Sequence, residues 1–374
     1  MKRIILVSSG DPRDKKEWSG TKYSFYHQLM KYYDVDILMM DTVWAKKIDI
    51  LRMLVLTMGR QKTKFGLLNS FLNSKKVQRR LKHGDYDAAF VFDCTSIPFL
   101  HTKTPIVYFT DTTIHLMQHY YWDYRWPLNW EADFIQKNCL KRSDMVLASS
   151  TWAINDMIDY YGIEPRKCKL CKFGPNGRVV ESPKSPKANG VANLVFVGVE
   201  WNRKGGDIAI ETFRKLKEMD KDHQWHLDIV GCKPEVEVQE EGIIFHGFLD
   251  RNDPAQEKRH VEVFKDCDIF ILPTKAECAG IVFCEASAYG LPIVTYDTGG
   301  LSDYVINGVN GYRLPMETSS QGFAEKILEI VSDSELWLRL SNGGKKLYSE
   351  SLNWEAAGKT VKETIDSLCF LDEK

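Results

Sequence analysis

No run of about 18 apolar residues occurs anywhere in the 374-residue chain, so none of it is expected to cross a bilayer as a helix. A secretory leader is not expected either. "MKRIILVSSGD" starts basic, but its apolar run is only four residues long and stops at Ser8-Ser9-Gly10. Cysteine comes without a pairing pattern. The nine thiols are odd in number and dispersed, and several sit in apolar strand-like runs (Cys94, Cys267). That argues against a disulfide scaffold and for a reduced, cytoplasmic protein. "CKLC" (168–171) has metal-like spacing but no second pair and no His cluster; strand residues ahead of a linker account for it. The G-x-G-x-x-G fingerprint is missing after the first apolar run, which continues "VSSGDPRDKKEWSG", and there is no Walker A sequence. Dinucleotide binding at that turn and P-loop chemistry are therefore disfavoured. Short repeats and low-complexity tracts are also absent.

What is present is a large apolar content and a lopsided charge. At 44% hydrophobic and 12% aromatic, the chain can bury two cores, and its length predicts two domains. Residues 1–180 hold 28 Lys+Arg against 18 Asp+Glu, and the remainder 22 against 33. A basic first half suggests an anionic partner: a phospholipid surface, a phosphorylated acceptor or nucleic acid. A membrane surface or lipid-linked acceptor is favoured over nucleic acid, and a plain solvated basic face fits the charge equally well.

Short, β-branched, nearly continuous apolar runs alternate with helical patterns: 3–10, 35–41, 88–93, 105–112 and 144–150, with helices such as 21–33 and 127–142 between them. This is the grammar of parallel strands buried on both faces. The texture breaks at "FGPNGRVVESPKSPKANG" (173–190), a loop and linker. The grammar then restarts with 193–200, 225–231, 242–249, 268–274 and 291–299, and the stretch 321–370 is helical by pattern. The predicted fold class is α/β: two Rossmann-like doubly wound domains, spanning 1–175 and 193–350, with a linker at 176–192. A C-terminal helix, 351–374, is read as able to leave its own domain. Ligands of such sheets sit beyond the carboxyl ends of the strands.

The chemistry is sought in those loops. "ILPTKAECAGIVFCEASAYGLP" reads as strand, loop and helix, with Gly290 as the helix stop. Gly280 falls at the helix start, where free N–H groups and the positive dipole end favour a phosphate. Glu277 and Glu285 stand eight positions apart on either side of that start. Like charge keeps them off the phosphate, but they are suited to accept hydrogen bonds from hydroxyls flanking it: a sugar on one side and a ribose on the other. A Glu near a helix N-terminus is also an ordinary stabiliser. In "VFVGVEWNRKGGDIAIETF" a strand ends at Gly198, the loop carries Arg203 and Lys204, and Gly205-Gly206 opens a helix, an order suited to neutralising a diphosphate.

"NRKGGDIAIETF" followed by "AECAGIVFCEASAYGLPIVTYDTGGLSDYVINGVNGYRL" resembles the C-terminal domain of retaining glycosyltransferases of family 4 (glycosyl transferases group 1). The resemblance is specific over roughly 193–315 and looser before it. It implies a GT-B fold, two domains facing across a cleft with the C-terminal helix crossing back to the first, and an enzyme that moves a sugar from a UDP- or GDP-sugar. In such an enzyme Lys204 with Arg203 binds the diphosphate and Glu277 contacts the transferred sugar. Glu285 holds the ribose hydroxyls, and the backbone at Gly280, Ile281 and Val282 contacts sugar and phosphates. Phe248 and Leu249, in "HGFL", lie beside the base. Gly20 matches the glycine loop near the diphosphate and acceptor, and Gly299-Gly300 the later glycine pair, whose alternative is a simple strand-to-helix turn. The resemblance further implies retention of configuration, the departing phosphate oxygen taking the acceptor proton, and no cofactor or metal.

Two positions depart from the family pattern. Val199 stands where an Arg is frequent, so Arg203 takes over that charge or fewer cations hold the diphosphate. Asp111 stands where a His is frequent, with His115 nearby; Asp111 is the residue expected to line the cleft as a catalytic group. The expected acceptor is a glycan or lipid-linked glycan in surface polysaccharide assembly at the cytoplasmic membrane face. Two alternatives remain open: a non-catalytic GT-B scaffold, or another GT-B enzyme such as a sugar-nucleotide epimerase. The Asp-x-Asp pairs 34/36, 85/87 and 266/268 each lie at the start of an apolar strand and read as turn chemistry rather than metal ligands. The aromatic stretch "HYYWDYRWPLNW" (119–130) suits a sugar acceptor, a membrane headgroup layer or interdomain packing. The stretch 43–64, apolar and basic, suits an anionic bilayer or a core-facing helix in a long loop.

Overall fold

The computed structural model describes residues 1–40, 65–180, 190–235 and 238–369. The stretch 43–64 lies outside the described residues. The chain divides into two compact units: residues 1–171 with 354–374, and residues 172–353.

Unit 1 runs β1 (Arg3–Ser8), α1 (Thr21–Leu29), β2 (Asp34–Met39), α2 (Leu67–His83), β3 (Ala88–Val91), β4 (Ile106–Thr110), α3 (Ile114–Met117), α4 (Leu128–Arg142), β5 (Met145–Ala148), α5 (Thr151–Asp159) and β6 (Cys168–Leu170). Its sheet has the order β2-β1-β3-β4-β5-β6, parallel throughout. Every residue of β3 and β4 is buried, as expected for strands with helices on both faces. "CKLC" falls on β6, and burial pushes the Cys171 thiol up to about 12, the behaviour of a core sulfur.

Unit 2 runs β7 (Val191–Gly198), α6 (Trp201–Lys204), α7 (Gly206–Met219), β8 (Gln224–Gly231), β9 (Ile243–Gly247), α8 (Pro254–Asp266), β10 (Ile269–Leu272), α9 (Ile281–Ala288), β11 (Ile293–Tyr296), β12 (Gly311–Leu314), α10 (Ser320–Ser332) and α11 (Ser334–Glu350). Its parallel sheet has the order β12-β11-β10-β7-β8-β9. The connections run outward from β7 to β9, then return to β10 on the other side of β7. The topological switch therefore lies between β7 and β10, and a ligand is expected beyond their carboxyl ends.

The helical stretch after residue 320 is broken twice, giving α10, α11 and α12 (Trp354–Cys369). Asp333 ends α10 and caps α11, accepting from the N–H groups of Glu335 and Leu336. The last helix, α12, belongs to unit 1. Trp354 packs 5.3 Å from Phe25 of α1, whose ring also meets Phe90, Phe92 and Phe109 at 5.8, 5.7 and 4.5 Å. Each such aromatic pair adds about 0.5–1.5 kcal/mol beyond its burial. Further along, Lys2 Nζ lies 3.3 Å from Asp366 Oδ1, and the Tyr33 hydroxyl donates to Lys362 O at 3.2 Å. A helix remote in sequence is thus part of the first core.

The three Asp-x-Asp pairs sit at amino ends of strands, opposite the ligand-binding ends. Asp36 pairs with Arg80 and with the Tyr86 hydroxyl, Asp87 accepts from Arg3 N at 2.6 Å, and Asp268 accepts from Asn193 N at 2.9 Å.

Candidate functional site

The carboxyl ends of β7 and β10 bring together most of the residues singled out in unit 2. After β7 the chain turns through the single helical turn α6, which delivers Arg203 and Lys204. It then reverses at Gly205, where φ is +75° and a Cβ would stand 2.0 Å from Pro273 O. Only glycine allows both that conformation and that approach. The turn pins the start of α7 against the end of β10. Arg203 then reaches across: its backbone O accepts from Lys275 N at 2.8 Å, and its Nη1 donates to Ala276 O at 2.9 Å.

The loop 273–280 leads into α9. Gly280, at φ +98°, is the residue before the helix, and no side chain caps it. A Cβ there would meet the Phe283 ring at 2.4 Å. The first turn of α9 therefore offers its N–H groups without a competing side-chain acceptor, beside a backbone with no bulk. Ile281 and Val282 are half-buried at this end, and the rest of the helix is buried.

Glu277 and Lys204 form an ion pair, with Arg203 Nη1 3.6 Å from the same carboxylate oxygen. Arg203 also grips Glu200 with two bonds of 2.9 Å, which hold the Glu200 carboxyl below its ordinary range. Gly300 N donates to Glu277 O at 3.2 Å, so the glycine pair braces the acidic loop. Lys204 is nearly buried, yet its ammonium has three donors, and the pair with Glu277 uses one direction of them.

Glu285, one turn into α9, is almost fully buried. Its oxygens accept from Arg251 Nη1 at 2.6 Å and Nη2 at 2.8 Å, and Asn176 N donates to Oε1 at 3.1 Å. Behind Arg251 lies His260 Nε2, 2.7 Å from Nη2. Burial, with the Arg251 charge adding to it, pushes the His260 imidazole down to about 4, so the ring is neutral and its Nε2 accepts. Arg251, His260 and Asn176 were not singled out from the sequence. They lie 34, 25 and 109 positions from Glu285, and the only local signal is an Arg just past the carboxyl end of a strand, in "HGFLDRND". In the same stretch Phe248 is exposed and Leu249 buried.

Asp111 and Gly20 lie in unit 1. Asp111 directly follows β4 and is half-buried. Gly20 is the residue before α1, at φ +83°, and follows Trp18 and Ser19 at φ +48° and +52°. Two successive side-chain-bearing residues in the left-handed region cost about 1–3 kcal/mol each, and such strain gathers at functional loops. Trp18 is held by edge contacts to Phe92 and Phe109, both 5.9 Å between centroids. His115 is not at a strand tip. It pairs with Asp156 of α5 at 2.6 Å and stacks on Tyr160 at 3.7 Å, so it ties α3 to α5.

Residues 179–347 match the family model described as Glycosyl transferases group 1. The uncharacterized glycosyltransferase MJ1178 of Methanocaldococcus jannaschii is 27% identical over 177 residues, 46% of this chain and 48% of that protein. The lipopolysaccharide glucosyltransferase WaaG of Escherichia coli is 28% identical over 200 residues, 49% of this chain and 52% of that protein. The chain thus spans about half the length of the curated relatives it matches. In fold the likeness is chain-wide: Anabaena Alr3699/HepE, solved in complex with UDP, aligns with a TM-score of 0.68 and 17% identity, covering 98% of this chain and 100% of that one. The matched stretch contains Lys204, Gly280 and both glutamates, and the two parallel six-stranded sheets are those of a GT-B fold. Residues 179–347 thus match the glycosyl transferases group 1 family, and the chain as a whole has the fold of such enzymes.

Proposed function

We propose that the protein is a retaining glycosyltransferase that moves a sugar from a UDP- or GDP-sugar to a glycan or lipid-linked acceptor in surface polysaccharide assembly. The observation that carries this reading is the convergence, at the β7/β10 switch point, of an uncapped helix start at Gly280 with Lys204, Arg203 and two carboxylates. The diphosphate lies on the N–H groups of Ile281 and Val282, facing Lys204 and Arg203. These cations and the helix dipole supply the positive charge that a metal would otherwise provide as the diphosphate leaves. Glu277, released from Lys204, accepts from hydroxyls of the transferred sugar. Glu285 accepts from the ribose, and Phe248 and Leu249 flank the base. The bond from the anomeric carbon to the phosphate oxygen breaks, an acceptor hydroxyl attacks from the same face, and that phosphate oxygen takes the acceptor's proton. Within unit 1, Asp111 is the residue to which this reading gives a catalytic role. UDP in the Alr3699/HepE structure makes UDP-sugars the first donors to try.

The acceptor side rests on the surface of unit 1 and on the lipopolysaccharide role in the name of WaaG. Along α2, Leu68, Phe71 and Leu72 are exposed, and the Lys75 ammonium lies 5.5 Å from the Phe71 ring centre. Along α4, Trp130 and Phe134 are followed by exposed Lys137. Ring contacts join the two helices: Phe71 to Phe99 at 5.8 Å, Phe99 to Phe134 at 6.4 Å, and Phe134 to Trp130 at 5.7 Å. Trp126, next to this strip in sequence, is 83% exposed. Rings followed by lysines, on the basic half of the chain, suit the headgroup layer of an anionic bilayer. Among the described residues no helix is long and apolar enough to cross one.

Two experiments test the reading. Purified protein supplied with UDP- and GDP-sugars and glycan or lipid-linked acceptors should form product with the donor's anomeric configuration, and Glu277→Ala should not. Turnover by Glu277→Ala, or inverted product, contradicts the assignment; nucleotide binding without turnover favours the non-catalytic scaffold. In vesicle sedimentation, the protein should pellet with phosphatidylglycerol but not phosphatidylcholine vesicles, and Trp126→Ser/Trp130→Ser should weaken this at least about fivefold. Equal pelleting of the variant contradicts the membrane role. A dimer lost in the same variant would assign the face to a second copy of the chain.

A further inference from the structure

Four acceptor positions are available on a carboxylate, and those of Glu285 can be accounted for one by one. Oε1 accepts from Arg251 Nη1 and from Asn176 N, which fills it. Oε2 accepts from Arg251 Nη2. His260 Nε2, 3.9 Å from Oε2, is itself accepting from Arg251 and has no proton to offer. One acceptor position, on Oε2, remains open. Arg251 is in turn fixed on three sides: by the two carboxylate oxygens, by Asn176 O, to which Nη1 also donates, and by the His260 ring, stacked 4.8 Å from Phe264.

We infer that Arg251 is a positioning residue for donor binding. By gripping both oxygens of Glu285 it sets the plane of the carboxylate and aims its single open acceptor at a ribose hydroxyl. This deepens the glycosyltransferase reading and rests on it. The guanidinium fork does two things that no other neighbour does. It orients the carboxylate in two dimensions, which a point charge cannot do. It also sets a countercharge against a buried carboxylate, which Asn176 N alone would not supply. The charged and titratable groups around it are Arg251 ahead of α8, Glu257 and His260 of α8, Cys284 of α9 and Tyr289 just past α9. Of these, Arg251 is the one cation held against Glu285 at neutral pH.

The test is calorimetric binding of UDP-glucose and GDP-mannose at pH 6, 7 and 8, for the wild type, Arg251→Met and Arg251→Lys, with melting temperatures recorded alongside. These donors have no phosphate proton to lose in that range. Wild-type affinity should be flat. Arg251→Met should bind about tenfold or more weakly at pH 7, because the carboxylate loses the fork that sets its plane. Arg251→Lys keeps the charge and loses the fork, so it should bind a few-fold more weakly by about the same ratio at every pH. A purely structural role would lower the melting temperature of Arg251→Met and leave the donor affinity of the folded variant unchanged, and that result overturns the inference, as does wild-type affinity in Arg251→Lys. The Lys variant keeps the test alive should the Met variant not fold. A wild type that binds neither donor overturns the donor-site reading itself; a wild type that binds, with unchanged variants, overturns only the role of Arg251.

Discussion

The two units share one sheet design but hold their polar residues differently. Beyond the switch point of unit 2, each important charge has a charged partner: Lys204 with Glu277, Arg203 with Glu200, Arg251 with Glu285. The corresponding ends of unit 1 pair charges too, Lys22 with Glu17 and Arg13 with Asp11, but add strain and rings: Trp18 and Ser19 in the left-handed region, Phe92 and Phe109 beneath them, and Asp111 at the end of β4. On the proposed reading, the ends of unit 2 meet the nucleotide diphosphate with pre-arranged charges, and those of unit 1 meet the acceptor with a strained loop over an aromatic core. The comparison predicts that the largest losses follow substitutions in unit 2, and smaller, acceptor-dependent ones follow those in unit 1.

Lys204→Ala should show the largest effect. It removes the buried cation that the proposal sets against the diphosphate, and turnover should fall roughly 10²–10³-fold, with donor affinity falling too. Near-normal kinetics would break the comparison at its strongest point.

His260→Gln sharpens it through pH. The native imidazole is held down to about 4 against an ordinary 6.5. Between those values the unfolded chain binds the proton and the folded chain does not, so stability contributed at neutral pH is lost as pH falls from 6.5 toward 4. The full span is worth on the order of 3 kcal/mol. Gln keeps an acceptor for Arg251 but does not titrate. The difference in urea midpoint between variant and wild type should therefore shift in the variant's favour between pH 7 and 4.5. A difference independent of pH would show that His260 is not held neutral.

Gly280→Ala should cost about 1–3 kcal/mol in thermal or urea unfolding, from a Cβ at φ +98° facing Phe283, and it should weaken donor binding more than a comparable change elsewhere in the loop. Asp111→Asn, in unit 1, should have the smallest effect: about a tenfold drop in turnover with donor affinity unchanged. Loss of donor binding in Asp111→Asn would erase the division of labour between the units.

Much of this was readable before the structure. The alternation of buried strands and helices announces two parallel sheets, because strands covered on both faces must be continuously apolar. Gly280, Lys204 and the two glutamates stand in local sequence contexts that physics makes recognisable: a strand end, a glycine, a helix start. Edge and short elements were harder. In β12, "GYRL" is four residues long, with a half-exposed Arg313 on an edge, and its period is too short to read. The region after 320 looked continuous because Ser332-Asp333-Ser334 breaks the helix by capping rather than by Gly or Pro. Arg251, His260 and Asn176 were invisible as site residues. Their link to Glu285 is a product of topology: the β9–α8 connection and the 173–178 stretch both end at the flank of α9.

The central claim is that the β7/β10 switch point of unit 2 is an anion cradle. A crystal structure with an intact UDP- or GDP-sugar tests it most directly. The account predicts the diphosphate on the N–H groups of residues 281 and 282, within hydrogen-bond distance of Lys204 Nζ, with a ribose hydroxyl on Glu285 Oε2. A diphosphate bound elsewhere, with Lys204 still paired to Glu277 and Glu285 still closed to the ribose, would contradict it.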